Sequence, residues 1–167
     1  MKLNKFLPVE NLVYKTKLSK EQAIAKLAEN IEAKKAFGLS AFNYSYSKPY
    51  IGKISGNIFE IERVIQYRNS FLPTIKGEVF SDYEGTKINV HMKPQSFVFV
   101  FMLVWVGGVT LGCIVAIIAS LTQKFSPFFL IPFAMLLFGV GLFYGAFKSE
   151  SSTSKKDLKR ICEAEIV

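Results

Sequence analysis

The chain has 167 residues, 21 Lys and Arg against 13 Asp and Glu, a formal net charge of +8, and 50% hydrophobic residues. Roughly a third of it lies in two long apolar runs, which leaves about a hundred residues, so one small water-soluble domain is expected. The basic excess flanks those runs, so anionic headgroups rather than nucleic acid are the nearer partner. Cys113 falls inside the first run and Cys162 in the tail, too far apart in setting to bridge, and both thiols are expected to be free.

The opening residues Met1–Asn11 carry no clear period, and Phe6-Leu7-Pro8 followed by Glu10 does not make the continuous apolar run of a secretory signal. The amino-terminal part is therefore expected in the cytoplasm. Leu12–Leu18 alternates, with Tyr14, Thr16 and Leu18 on one side and Lys15 and Lys17 on the other, and predicts a strand. Ser19 followed by Gln22 has the form of a capping box, and Ile24, Leu27, Ala28 and Ile31 recur at helical spacing. This predicts an amphipathic helix over Ser19–Ala36, stopped near Gly38.

From Ala41 the period shifts to two and predicts an antiparallel sheet. Tyr50–Ile54 and Ile58–Tyr67 are expected to join through Ser55-Gly56-Asn57, and Thr74–Tyr83 and Thr86–Lys93 through Glu84-Gly85. In the last strand Ile88, Val90 and Met92 share one side while Lys87, Asn89, His91 and Lys93 share the other, the pattern of a sheet with one wet face. The predicted helix is expected to cover the dry one.

Pro94 stops the sheet. Phe97–Leu121 and Phe125–Phe147 contain no charge, and each exceeds the roughly 20 residues that cross a bilayer core. They predict a transmembrane hairpin with spans of about 97–121 and 126–147. Lys87 and Lys93 precede it and Lys148, Lys155, Lys156, Lys159 and Arg160 follow it, against Lys124 alone between the spans. The positive-inside rule then places both termini in the cytoplasm. Gly108, Gly112, Ala116 and Ser120 recur every four residues in the first span, as do Gly141 and Gly145 in the second, a spacing that lets helix backbones approach. Beyond the spans, Glu150–Thr153 reads as a polar linker, and Ser154 as the N-cap of a short helix carrying Leu158, Ile161 and Cys162.

The sequence thus describes an α+β membrane protein: a small antiparallel sheet with one covering amphipathic helix, then a two-helix transmembrane hairpin and a short C-terminal helix. The divisions are residues 1–94, 95–148 and 149–167.

Chemistry-bearing clusters are sparse. His91 has no Cys or carboxylate at metal-ligand spacing, and Gly52, Gly56 and Gly77 are scattered among strands, so neither a metal, a nucleotide nor another cofactor is expected, and no catalytic residue is assigned. Glu60, Glu62, Glu78, Asp82 and Glu84 come from strands that can neighbour one another, so a carboxylate pair is conceivable, but alternation with Phe59 and Ile61 reads as a solvated face. The stretch Tyr67–Pro73 mixes polar donors with apolar residues, which makes Arg63, Tyr67, Arg68, Asn69 and Phe71 the candidate binding residues, for a protein partner or lipid headgroups.

Three functions fit. The first is a cytoplasmic interaction domain presented at the membrane surface to a membrane or cytoplasmic protein. The second is a membrane-bound lipid-handling domain or enzyme with a cavity between helix and sheet, using Glu60, Glu62, Arg63 and Arg68. The third is an oligomeric pore, which requires self-association through the Gly108–Ser120 ladder. In layout the chain resembles small bacterial membrane proteins, a likeness of architecture alone that implies an inner-membrane location.

Overall fold

The computed structural model describes residues 8–34, 46–67, 69–122 and 126–167. These form an α+β fold with a seven-stranded sheet and three α-helices, two of them long and apolar enough to cross a membrane. The first strand, β1 (Glu10–Thr16), leads into α1 (Lys20–Glu29) and the short β2 (Ile31–Ala33). A meander follows: β3 (Tyr50–Ser55), β4 (Ile58–Arg63), β5 (Pro73–Asp82) and β6 (Gly85–Pro94). The apolar helix α2 (Ser96–Thr122), a 3-10 turn at Pro127–Leu130, the helix α3 (Ile131–Ile161) and β7 (Ala164–Ile166) complete the chain.

The strand order is β2-β3-β4-β5-β6-β1-β7. Every pair is antiparallel except β2 beside β3, so the sheet is mixed rather than purely antiparallel. The apolar hairpin is inserted between β6 and β7, and the chain returns to the sheet on the far side of β1. Tyr14, Thr16, Ile88, Val90 and Met92 are buried together as the alternation requires, while Asn89 and His91 lie exposed on the wet face.

Predicted boundaries shift where a tertiary partner competes with local preference. The capping box forms as expected, with Gln22 N–H donating to Ser19 Oγ and Ser19 N–H to Gln22 Oε1. The helix nevertheless ends at Glu29, not Ala36. Ile31–Ala33 instead pairs in parallel with Tyr50–Gly52, and Lys48 Nζ donates to the carbonyls of Ala28 and Ile31 on either side of the helix end. A β-branched Ile31 gains an edge strand and loses only a frayed helical turn. Ala23 and Leu27 form the buried stripe, whereas Ala28 is exposed. The predicted stop at Gly38 and the onset of the sheet at Ala41 lie outside the described residues.

The first hairpin is one residue tighter than expected, and the second keeps a two-residue loop but shifts it by one position. Gly56-Asn57 and Tyr83-Glu84 are the two-residue loops, because Ser55 pairs with Ile58 and Asp82 with Gly85. Gly85 has φ +135°, and a Cβ there would lie 2.2 Å from the Thr16 carbonyl oxygen, so β1 can approach only because the position is glycine. Strand β4 ends at Arg63, four residues short of Tyr67, since Arg63 turns to meet α3.

The largest departure is in α3. The expected linker Glu150–Thr153 and separate tail helix do not occur: Ile131–Ile161 is one uninterrupted helix. From Phe147 onward it packs on the dry face of the sheet, so Phe147, Leu158 and, just past the helix end, Cys162 join Tyr14, Leu27, Phe59, Ile61, Ile75 and Met92 in one core. Ser151 and Ser154, both 0% exposed, are small enough to let sheet and helix close together. Residues that read as a linker by composition are held helical by what they touch.

Between α2 and α3, the apolar stretches are only 17% and 6% buried within the protein, the reverse of a soluble core helix. The aromatic and aliphatic side chains Phe101, Leu103, Val104, Leu137 and Phe138 all point outward.

Candidate functional site

The polar side chains that the fold gathers lie where α3 leaves the hairpin and meets the sheet. The residue at the centre, Glu150, is 4% exposed and arises in the stretch expected to be a linker. Its Oε2 accepts from Arg63 NH1 at 2.8 Å, and its Oε1 accepts from Asn69 Nδ2 at 2.8 Å and from the Tyr67 hydroxyl. A carboxylate removed from water costs several kcal/mol, on the order of what a well-placed cation and added donors return, and here both oxygens accept hydrogen bonds. Arg63 also faces Asp157, with Nε 3.7 Å from Oδ2, and the Tyr50 hydroxyl donates to the same oxygen at 3.5 Å.

The electrostatics follow from this packing. Burial alone would weaken the Arg63 charge, but the Tyr67 hydrogen bond and the Glu150 carboxylate outweigh it and hold its pKa above the ordinary value. The Tyr67 phenol is pushed up by its hydrogen bond to Glu150, and the Tyr50 phenol by burial and by Asp157. Both phenols therefore stay protonated and act as donors.

On the opposite flank of α3, Glu10 of β1 takes Lys148 at 3.1 Å and is also paired with Lys155. Burial pushes this carboxyl up, while the two ammonium groups pull it down and prevail. The Tyr14 hydroxyl donates to the Lys155 carbonyl at 3.4 Å. The helix is thus gripped from both sides within about two turns of leaving the apolar hairpin.

The connection between β4 and β5 completes the arrangement. Asn69 Oδ1 accepts from the Phe71 backbone N–H at 2.9 Å, a local turn that aims the Phe71 ring at Phe143, with centroids 5.6 Å apart. Phe71 thereby joins a second apolar cluster of Val98, Met102, Phe143, Trp105 and Val106 at the start of the hairpin. Of the candidate binding residues, Arg63, Tyr67 and Asn69 come together on Glu150, Phe71 sits beside them, and Arg68 lies outside the described residues.

Other sequence candidates are dispersed. Glu60 pairs with Lys76 at 3.2 Å, Glu62 with Lys34 at 3.0 Å and Asp82 with Lys15 at 3.9 Å, while Glu78 accepts from Asn57 at 3.0 Å. Those carboxylates do not converge. His91 Nδ1 lies 2.6 Å from Asn11 Oδ1 on the wet face. Among the described residues, no group of three His, Cys, Asp or Glu is placed to hold a metal ion.

The small-residue ladder divides. A Cβ at Gly112 would make ordinary contact with Pro132, 3.7 Å away, and Ala116 is buried, whereas Ser120 is half-buried and donates to its own helix at the Ile117 carbonyl. Gly108, Gly141 and Gly145 face open space. The tight contact of the hairpin is one the spacing did not single out: a Cβ at Gly139 would fall 2.2 Å from the Trp105 ring. Glu10, Glu150 and Asp157 were likewise missed as a site. The available signal was phase, since Phe143, Phe147, Glu150, Ser154 and Leu158 fall on one helical stripe.

The paired carboxylates Glu10, Glu150 and Asp157 thus link α3 to the sheet and to the β4–β5 connection. At the other end of the sheet an open concavity of about 900 Å³ is lined by residues of both charges, including Lys15, Asp82, Glu84 and Glu163. No protein-family model, curated protein or solved structure matches the chain.

Proposed function

We propose that the chain is an integral membrane protein whose α2–α3 hairpin crosses the bilayer and whose sheet is held rigidly on the cytoplasmic side as a docking domain for a protein partner. One observation carries the reading: a single helix, α3, is apolar outside over its first half and fastened to the sheet through Glu150, Lys148 and Lys155 over its second. A domain tethered by a flexible linker could tumble, but one built on the continuation of a span keeps a constant height and orientation above the bilayer. Support for docking comes from the wet face, where Ile58 is 52% exposed and Phe80 37%, with nothing from the described residues covering them.

The cavity reading is not favoured, because Leu27, Phe59, Ile61, Ile75, Ile88 and Leu158, each fully buried, occupy the space between helices and sheet where a ligand would sit. Contact between copies belongs to the proposal, through the open glycines Gly108, Gly141 and Gly145.

Two measurements on the full chain in cells test the reading. In a background with Cys113 and Cys162 replaced, Gln123→Cys should react with an impermeant thiol reagent from outside and Ser152→Cys, at an exposed position of α3, should not. A photo-crosslinking residue at Ile58 or His91 should give a discrete protein adduct that the same residue at Ser152 does not. Reversed labelling overturns the orientation, and no adduct from either sheet position overturns docking.

A further inference from the structure

The connection between β4 and β5 reaches deeper than a domain loop needs to. Phe71 packs on Phe143, which precedes Lys148, the first charged residue of α3, by five positions, or roughly 7 Å along the helix axis. On the other side it meets the cluster containing Met102 and Trp105, more than one turn inside the apolar run of α2. If the two helices are spans, this loop lies below the level at which their charges begin.

Its chemistry suits that depth. Tyr67 is 55% exposed as a residue, yet its hydroxyl is turned inward to Glu150, so the ring is the part offered outward. Ile65 and Leu72 are half-exposed. Asn69 is satisfied within the protein, where it donates to Glu150 and accepts from Phe71 N–H, so it need not find a partner near lipid. A phenol with a satisfied hydroxyl and an outward ring, in a loop that also presents Ile65 and Leu72, suits a membrane–water interface.

We infer that this loop is a lipid-contact site, seated in the headgroup and upper acyl region of the leaflet on the domain's side, with Tyr67, Phe71 and Leu72 as its contact residues. The occupant is phospholipid, because Phe71 packs on Phe143 of α3 and with Met102 and Trp105 of α2, helices whose outward side chains are apolar. The loop adds a contact between the sheet and the leaflet beside that of α3, to which it is joined through Phe143 and Glu150. The inference rests on the membrane reading proposed above, and the following test separates the two.

The chain has one tryptophan, Trp105. The full protein is reconstituted in phosphatidylcholine vesicles brominated at either a shallow or a deep acyl position. Trp105 reports insertion of the hairpin. Ser70→Trp and, as a control at the far hairpin tip, Tyr83→Trp are made in a Trp105→Phe background. Ser70→Trp should be quenched more strongly by shallow than by deep bromines, and by at least about twofold more than Tyr83→Trp, as expected of a segment buried at the headgroup–acyl boundary. Quenching of Ser70→Trp equal to that of Tyr83→Trp, with Trp105 quenched in the unaltered chain, overturns the lipid site and leaves the spans standing. An unquenched Trp105 overturns both. Should Trp105→Phe disturb the hairpin, an NBD fluorophore on Ser70→Cys, with Tyr83→Cys as its control, in a chain retaining Trp105 and with Cys113 and Cys162 replaced, gives the same comparison against nitroxide-labelled phosphatidylcholine.

Discussion

The two halves of α3 are one helix in two environments. Before Lys148 its most exposed side chains are apolar, with Leu137 76% and Phe138 72% exposed, while after it the exposed side chains are polar or charged: Ser149, Ser152, Lys156, Lys159 and Arg160. The inward stripe runs through the change without a break, from Phe143 and Phe147 to Glu150, Ser154 and Leu158. An α-helix satisfies its backbone in any surroundings, so it has no reason to stop where the surroundings change. What changes is the outer surface, and, at the junction, the need to neutralise a buried carboxylate.

Removing the junction should have the largest effect. Glu150→Ala leaves Arg63 in a partly buried site without its main partner and frees Tyr67 and Asn69, at a cost of about 3–5 kcal/mol. Thermal unfolding in mild detergent should show the sheet melting early while the hairpin keeps its helicity; an unchanged midpoint would mean that the two halves are not held together there. Next, the same truncation in each half sharpens the contrast. Leu158→Ala opens a cavity in the domain core and should cost about 2–5 kcal/mol, whereas Leu137→Ala, on the outward face, should stay within about 0.5 kcal/mol. Equal losses at the two positions would show that both halves are buried alike.

The smallest effect is a pH dependence at the second grip on α3. Glu10 has a folded pKa below its ordinary value of 4.5, since Lys155 and Lys148 outweigh the upward push of burial. Its contribution to stability is therefore present above that ordinary value and disappears as pH falls through the lower folded one. Unfolding midpoints of the parent chain and Glu10→Gln, compared from about pH 7 down to about pH 3, should differ at the upper end and converge at the lower. A constant offset would place the acid sensitivity elsewhere.

Most of the sheet could be read directly. The alternation of Tyr14 and Thr16, and of Ile88, Val90 and Met92, placed each on the buried face, because a period of two leaves a strand no other way to hide its apolar side. The capping box at Ser19 and Gln22 and the two long uncharged runs were equally plain, being local signals that depend on residues close in the chain. The site was legible only in part. Arg63, Tyr67, Asn69 and Phe71 stood out as an unusual stretch, but the residue that gathers three of them, Glu150, lies more than eighty positions away.

By itself, then, the sequence determined the α+β class, the alternating faces, the start of α1 and the presence of two helices suited to lipid, all through spacing and charge within short windows. Tertiary structure alone decided that α1 yields to β2, that a serine-rich stretch continues α3, that β7 joins the sheet beside β1, and that Gly139 rather than the regular ladder admits Trp105. In each case the deciding partner is distant in sequence. A segment with weak local preference takes the conformation that satisfies its backbone and fills the surface it meets.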